Sequence, residues 1–277
     1  MSEDLEKLYC NVPPTKIRNR EEKFRPARTT PFWETIADMF FFNMLQHRFH
    51  SMLVKNEELF EERNKDAATI FFAPHGNWWD GIVGYNMLRR VFHHTVRVMV
   101  EEMNRFPLLS RAGAFPVNKR SSQEAMKSLK YAIDDLGQNP DHGLWIFPRG
   151  VIKPPNYRPF EFQTGMTYIA EKIAKKYGAI NLVPVAVAFA FLREDQPEVL
   201  VEVGKPIILT KDDVVGLDRH EFTHKLEKDF TEFCDNQLND ISKGHFQGYR
   251  QLFVKRVHWY RRIEKKLKGI GMKGSGI

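Results

Sequence analysis

Residues Pro74–Gly81 read PHGNWWDG and follow directly on the apolar run TIFFA, Thr69–Ala73. With four residues between them, His75 and Asp80 could be a general base and its orienter. A carboxylate that accepts from one imidazole nitrogen fixes the tautomer and leaves the other nitrogen free to take a proton. Helix geometry limits how such a pair can form. If residues 75–80 were all helical, five steps of about 100° would set the two side chains roughly 140° apart. The pair therefore needs His75 in a loop and Asp80 in the first turn of a helix, which Pro74 and Gly76 favour. The alternative is Asp80 as a helix cap and His75 as a packed loop residue.

The elements around this stretch have to supply that loop. TIFFA, TVRVMV (Thr95–Val100), GLWIF (Gly143–Phe147), NLVPVAVAF (Asn181–Phe189) and VLVEVG (Val199–Gly204) are short β-rich runs. Helical patterns lie between or after them, near Asp80–Arg90, Ser121–Leu136, Gly165–Tyr177 and Asp218–Leu238. The alternation implies an α/β fold: a mixed, largely parallel twisted sheet flanked by helices. Ligands of such sheets sit at the carboxyl ends of the strands, and His75 lies two residues past one. Before the sheet, Pro31 to about Arg63 reads as one helix, with Phe32, Ile36, Met39, Phe40, Leu45, Phe49, Met52 and Leu53 at helical steps. This N-terminal segment packs on the core or lies partly in a lipid leaflet. KPPNYRPF (Lys153–Phe160) is a loop, because successive prolines feed neither a helix nor a central strand.

The chain has 277 residues, 42% of them hydrophobic, enough for a sizeable core. Its two cysteines, Cys10 and Cys234, form no disulfide framework and point to a reducing compartment. No run reaches the roughly 18 apolar residues of a spanning helix, and the charged start MSEDLEKLYC is not that of a signal peptide. The charge is uneven. From Lys243 to Ile277 there are ten Lys/Arg and one acid, Glu264, so this tail carries +9 of a net +7 and the rest is about −2. His258, Trp259 and Tyr260 sit among the basic residues, a composition suited to an anionic lipid surface or to a solvated helix. The expected organisation is an arm and helix over 1–64, an α/β domain over 65–242 and a basic tail over 243–277.

Four blocks in order give the chain a resemblance to the glycerolipid acyltransferase superfamily, whose best-known members acylate lysophosphatidic acid. The first is the H-x4-D pair, His75 and Asp80. The second is GAFPVNK, Gly113–Lys119, the third FPRG, Phe147–Gly150, and the fourth the V-P-V of Val183–Val185. The resemblance covers about residues 65–200. It implies transfer of a fatty acyl group from a thioester, of coenzyme A or an acyl carrier protein, to a lipid hydroxyl, with no cofactor, no metal and no nucleic acid. His75 would be the base and Asp80 its support. Gly113, Phe115, Lys119, Arg120, Phe147, Pro148, Arg149 and Gly150 would form the acceptor site. Phe115, Phe147 and Trp145 would pack its wall, and backbone N–H groups near Gly150 or Asp80 would hold the oxyanion. The implied location is peripheral, on the cytoplasmic face of a membrane.

The chain departs from the family pattern at several positions. Lys119 stands where arginine is usual, with Arg120 beside it, and Asn118 replaces an aspartate. Arg149 replaces a glutamate or glutamine, and Val-Ile-Lys follows Gly150. The reversed charge at Arg149 argues against a glycerol 3-phosphate-type acceptor and towards a more anionic or glycosylated lipid. The intact His75 and Asp80 argue against a silent lipid-binding protein of the same fold. HEFTH, His220–His224, matches the H-E-x-x-H zinc-peptidase signature. Both histidines, however, fall opposite the stripe of Phe222, Leu226, Phe230 and Phe233, and no third ligand follows at G-x-x-H spacing.

Overall fold

The computed structural model describes residues 22–101, 103–192 and 195–255. Helix α1 (Pro31–Arg48) is capped by Thr30, whose hydroxyl accepts from Trp33 N, and has Pro31 at its first position. It ends at Arg48, because Phe49 turns extended and strand β1 (Ser51–Lys55) begins. The apolar spacing that suggests helix through Arg63 here belongs to a strand: Met52 and Val54 are buried on the sheet.

The remaining elements alternate: β2 (Ala68–Phe72), α2 (Trp79–Arg90), β3 (Thr95–Val100), β4 (Ala114–Pro116), α3 (Ser122–Gln138), β5 (His142–Ile146), α4 (Gly165–Tyr177), β6 (Ala179–Ala190), β7 (Glu198–Val203), β8 (Ile207–Thr210), α5 (Arg219–Ser242) and β9 (Arg250–Val254). The nine described strands form one sheet in the order β4-β3-β5-β2-β6-β7-β1-β9, with β8 beside the first half of β6. Pairings from β4 to β6 are parallel, as is β1 with β7; β7 and β8 run antiparallel to β6, and β9 antiparallel to β1. The fold is α/β, a mixed and mostly parallel open sheet flanked by helices. Strand β1 precedes residue 64 and β9 follows residue 242, so the sheet reaches across both expected domain boundaries.

Side chains of β2 alternate between two layers, as a strand buried on both faces requires. Phe71 joins the layer of α1 and α2, with Phe41, Leu45, Val83 and Trp145. Ile70 and Phe72 join the layer of α3, α4 and α5, with Ile133, Ile169, Leu226 and Phe230. Gly84 lets α2 lie close on the sheet: a Cβ there would come within 2.5 Å of the Trp145 ring. Asp38 of α1 receives both Nε and Nη2 of Arg89 and the Tyr85 hydroxyl of α2, which ties the two helices together.

Candidate active site

The loop after β2 is built around one carboxylate oxygen. Asp80 Oδ2 accepts from Gly76 N at 2.7 Å and Asn77 N at 2.8 Å, and lies 3.2 Å from His75 Nδ1. Asn77 Oδ1 in turn accepts from Trp79 N at 2.7 Å, at the start of α2. His75 is in the loop and Asp80 in the first helical turn, the one arrangement in which they can meet. Because Oδ2 already takes two amide hydrogens, the third contact is also a donation to it, from Nδ1–H. Nε2 then carries the lone pair. Asp80 is only 2% exposed, while the His75 side chain keeps partial exposure.

The third block holds the ring. Phe147, just past β5, stacks on His75 with centroids 4.0 Å apart and planes 7° apart. The parallel pairing of β2 with β5 brings the two strand ends side by side. The loop after Phe147 folds back over the first block: Lys153 N donates to His75 O at 3.0 Å, and a Cβ on Gly76 would stand 3.1 Å from Pro155. Trp79 packs inward, edge-on to Phe49, whereas Trp78 is exposed beside it. Sequence alone does not assign these two residues.

Lys119 joins the second block to the third. Its ammonium donates to Gly150 O and pairs with Glu101 at 3.0 Å. Arg120 is exposed next to it, its N–H bonded to Asn118 Oδ1. Asn118 also donates to Glu22 O. Gly150 has φ +72°, and its N–H is taken by Phe147 O at 2.9 Å, so that donor is committed to the turn.

Other block residues serve the frame. Gly113, at φ +94°, lets the chain pass against β3: a Cβ would fall 2.0 Å from Val96 O. Phe115 is 1% exposed and packs on Tyr131, in the α3 layer. Its block does contain a strand, β4, which three residues are too few to announce in sequence. Pro148 is buried and its carbonyl accepts from Gln163 N, just before α4. Arg149 is 6% exposed; its Nε donates to Phe160 O at 2.6 Å and its Nη2 to Tyr157 O at 3.2 Å. Burial pushes its pKa down from the usual arginine value. The guanidinium pins the proline-rich loop from within, and the reversed charge is answered by carbonyl oxygens.

His220 and His224 both face solvent on α5, as the helical stripe implies. Among the described residues, no group of three His, Cys, Asp or Glu could hold a metal ion. Cys234 is a buried free thiol whose pKa is raised by desolvation. Cys10 and the aromatic-basic stretch from Arg256 onward lie outside the described residues.

Comparison with curated proteins finds no match. Residues 51–188, from β1 into β6, match the family model described as Acyltransferase, a span that holds all four blocks and the loop joining His75 to Asp80. Strand β1, which precedes the expected domain start at residue 65, falls inside that span. Through these residues the chain belongs to the Acyltransferase family, the glycerolipid acyltransferase superfamily of the lysophosphatidic acid type.

Proposed function

We propose that the protein is an O-acyltransferase that moves a fatty acyl group from a thioester to a hydroxyl of a lysophospholipid or a related lipid. The observation that carries this reading is the His75 Nδ1–Asp80 Oδ2 contact, with the ring stacked on Phe147. His75 Nε2 takes the hydroxyl proton as the oxygen attacks the thioester carbonyl. The tetrahedral intermediate collapses, the carbon–sulfur bond breaks, and the proton passes from Nε2 to the departing sulfur, giving ester and free thiol. Asp80 supports the imidazolium between the two transfers. Direct transfer suits the site: Cys234 is buried on α5 and the chain has no G-x-S-x-G elbow.

Lys119 and Arg120, at the rim beside Gly150, are the cations we assign to the acceptor's anionic head. Arg149 acts indirectly, by holding the loop that covers His75. The acceptor lipid enters from a lipid surface, and α1 supplies a docking face for that surface. Ala37, Phe41 and Leu45 of α1 are buried, while Phe32, Ile36, Met39 and Phe40 point out at helical spacing. No helix among the described residues is long and apolar enough to cross a membrane.

The test is mass spectrometry of lipids after incubation with a palmitoyl thioester and a panel of lysolipids and glycolipids. Acylated products should appear with the wild type and vanish with His75→Ala. Equal, trace-level product from both would sink the reading and leave a lipid-binding protein of this fold.

A further inference from the structure

Away from His75, a groove lies between α3 and α4, in the layer opposite α1 and α2. It encloses about 410 Å³ and is lined by Met126, Lys130 and Ile133 of α3 and by Tyr168, Lys172, Lys175 and Lys176 of α4. The spacing is i, i+4, i+7 on one helix and i, i+4, i+7, i+8 on the other, so each contributes a single stripe. Four lysines surround an apolar floor, and no acidic residue lines it. Nearby carboxylates are already engaged: Asp134 with Lys176, Glu171 with Lys175 and Arg219, and Glu124 with Lys127. Lys130 and Lys172 make no ion pair among the described residues; Lys172 lies over the Tyr168 ring. The stripes run along two turns of each helix, about 11 Å at 1.5 Å per residue. A docked helix laying an apolar face in such a groove presents about that length.

We propose that this groove docks an acidic amphipathic helix of a small carrier protein that bears the acyl thioester. The inference rests on the acyl-transfer reading above. Charge complementarity, carried by Lys130 and Lys172, gives the partner's sign, and the apolar floor gives its amphipathic form. Position supplies the third argument, because both helices that line the groove are tied to blocks beside the site. Helix α4 starts next to Gln163, which bonds Pro148 O of the third block, and Ser128 of α3 bonds Pro116 O of the second. A bilayer is a poorer fit. The exposed apolar face of α1 lies in the other layer of the sheet, so a membrane seated there leaves the lysine groove facing away.

The experiment compares acyl carrier protein and coenzyme A as palmitoyl donors for the wild type, Lys130→Glu/Lys172→Glu and Lys130→Arg/Lys172→Arg. Charge reversal should raise KM for the carrier-bound donor by about tenfold or more, leave coenzyme A kinetics unchanged, and be avoided by the arginine pair. Equal losses on both donors, or no change on either, overturn the proposal. A titration of unacylated carrier protein, read by fluorescence anisotropy, needs no catalysis. If carrier binding is seen and lost on charge reversal but neither donor is used, the groove stands and the acyl-transfer reading fails. If coenzyme A serves and the carrier neither binds nor serves, the reverse holds. Charge reversal that abolishes sedimentation with phosphatidylserine vesicles, with carrier binding intact, assigns the groove to lipid and overturns it too.

Discussion

Asp80→Asn separates two tasks of one oxygen. The amide oxygen can still accept from Gly76 and Asn77, so the loop keeps its shape, but a neutral amide gives an imidazolium no charge to lean on. Turnover should fall by about 10²–10³-fold while the melting temperature stays close to the wild type's. Full turnover in that variant would remove Asp80 from the proposed mechanism. Arg149 poses the opposite case. Its two bonds to the carbonyls of Phe160 and Tyr157 are interior, so Arg149→Met should cost about 1–3 kcal/mol in urea unfolding, with kcat lowered more than KM. A raised KM at unchanged stability would instead put the guanidinium on substrate.

At the level of elements, β3, α3 and β5 meet through a partly buried polar cluster. Asp135 accepts from Arg97 Nε at 2.8 Å and lies 2.8 Å from His142 Nδ1. Burial alone would raise the Asp135 pKa, but the hydrogen bonds from His142 and Arg97 outweigh it and hold the group below its ordinary 3.8. A carboxyl depressed in the folded state adds stability that is present above its unfolded pKa and is lost as pH falls through the folded one. Between pH 5 and pH 3, the melting temperature of Asp135→Asn should therefore drop less than that of the wild type; parallel curves would show that the cluster contributes nothing to acid sensitivity. A second element-scale test is Gly113→Ala. It sets a Cβ against Val96 O at positive φ and should destabilise the protein by roughly 3 kcal/mol, measured by chemical denaturation. These elements also mark what the sequence made legible. Long β-rich runs and helices with one apolar face are legible to within a few residues. Strands β1, β4, β8 and β9 are not: β4 and β8 are too short for alternation to show, β9 has only the short apolar run Leu252–Val254 after two polar residues, and β1 continues the apolar spacing of α1. The loop joining His75 to Asp80 was readable because five helical steps exclude the alternative geometry. The Phe147 stack and the inward turn of Arg149 depend on how β2 and β5 align, and no local pattern carries that.

At the scale of the molecule, α1 has apolar side chains on two faces with different fates. Ala37, Phe41 and Leu45 join the core beside α2, and the Asp38–Arg89 pair fixes the helix's rotation. That rotation turns Phe32, Met39 and Phe40 outward, each more than half exposed. An exposed set of this size on one helix is costly in water and is stabilised when a lipid or protein surface covers it. Leu108, also exposed, lies on the short 3₁₀ turn Pro107–Ala112 that packs against α1, with Arg111 over the Trp33 ring. If the face meets a membrane, Phe32→Ser/Met39→Ser/Phe40→Ser should weaken sedimentation with phosphatidylcholine–phosphatidylserine vesicles by about tenfold or more, since burying a large apolar side chain contributes about 1.5–3 kcal/mol. The variant should retain its fold, because none of the three side chains belongs to the buried core, and the circular dichroism melt checks this. Transfer to a short-chain, water-soluble lysolipid should persist while transfer to vesicle-borne acceptor falls. Unchanged sedimentation would clear α1 of the role and point to the basic segment beyond Lys255, which truncation before Arg256 tests directly.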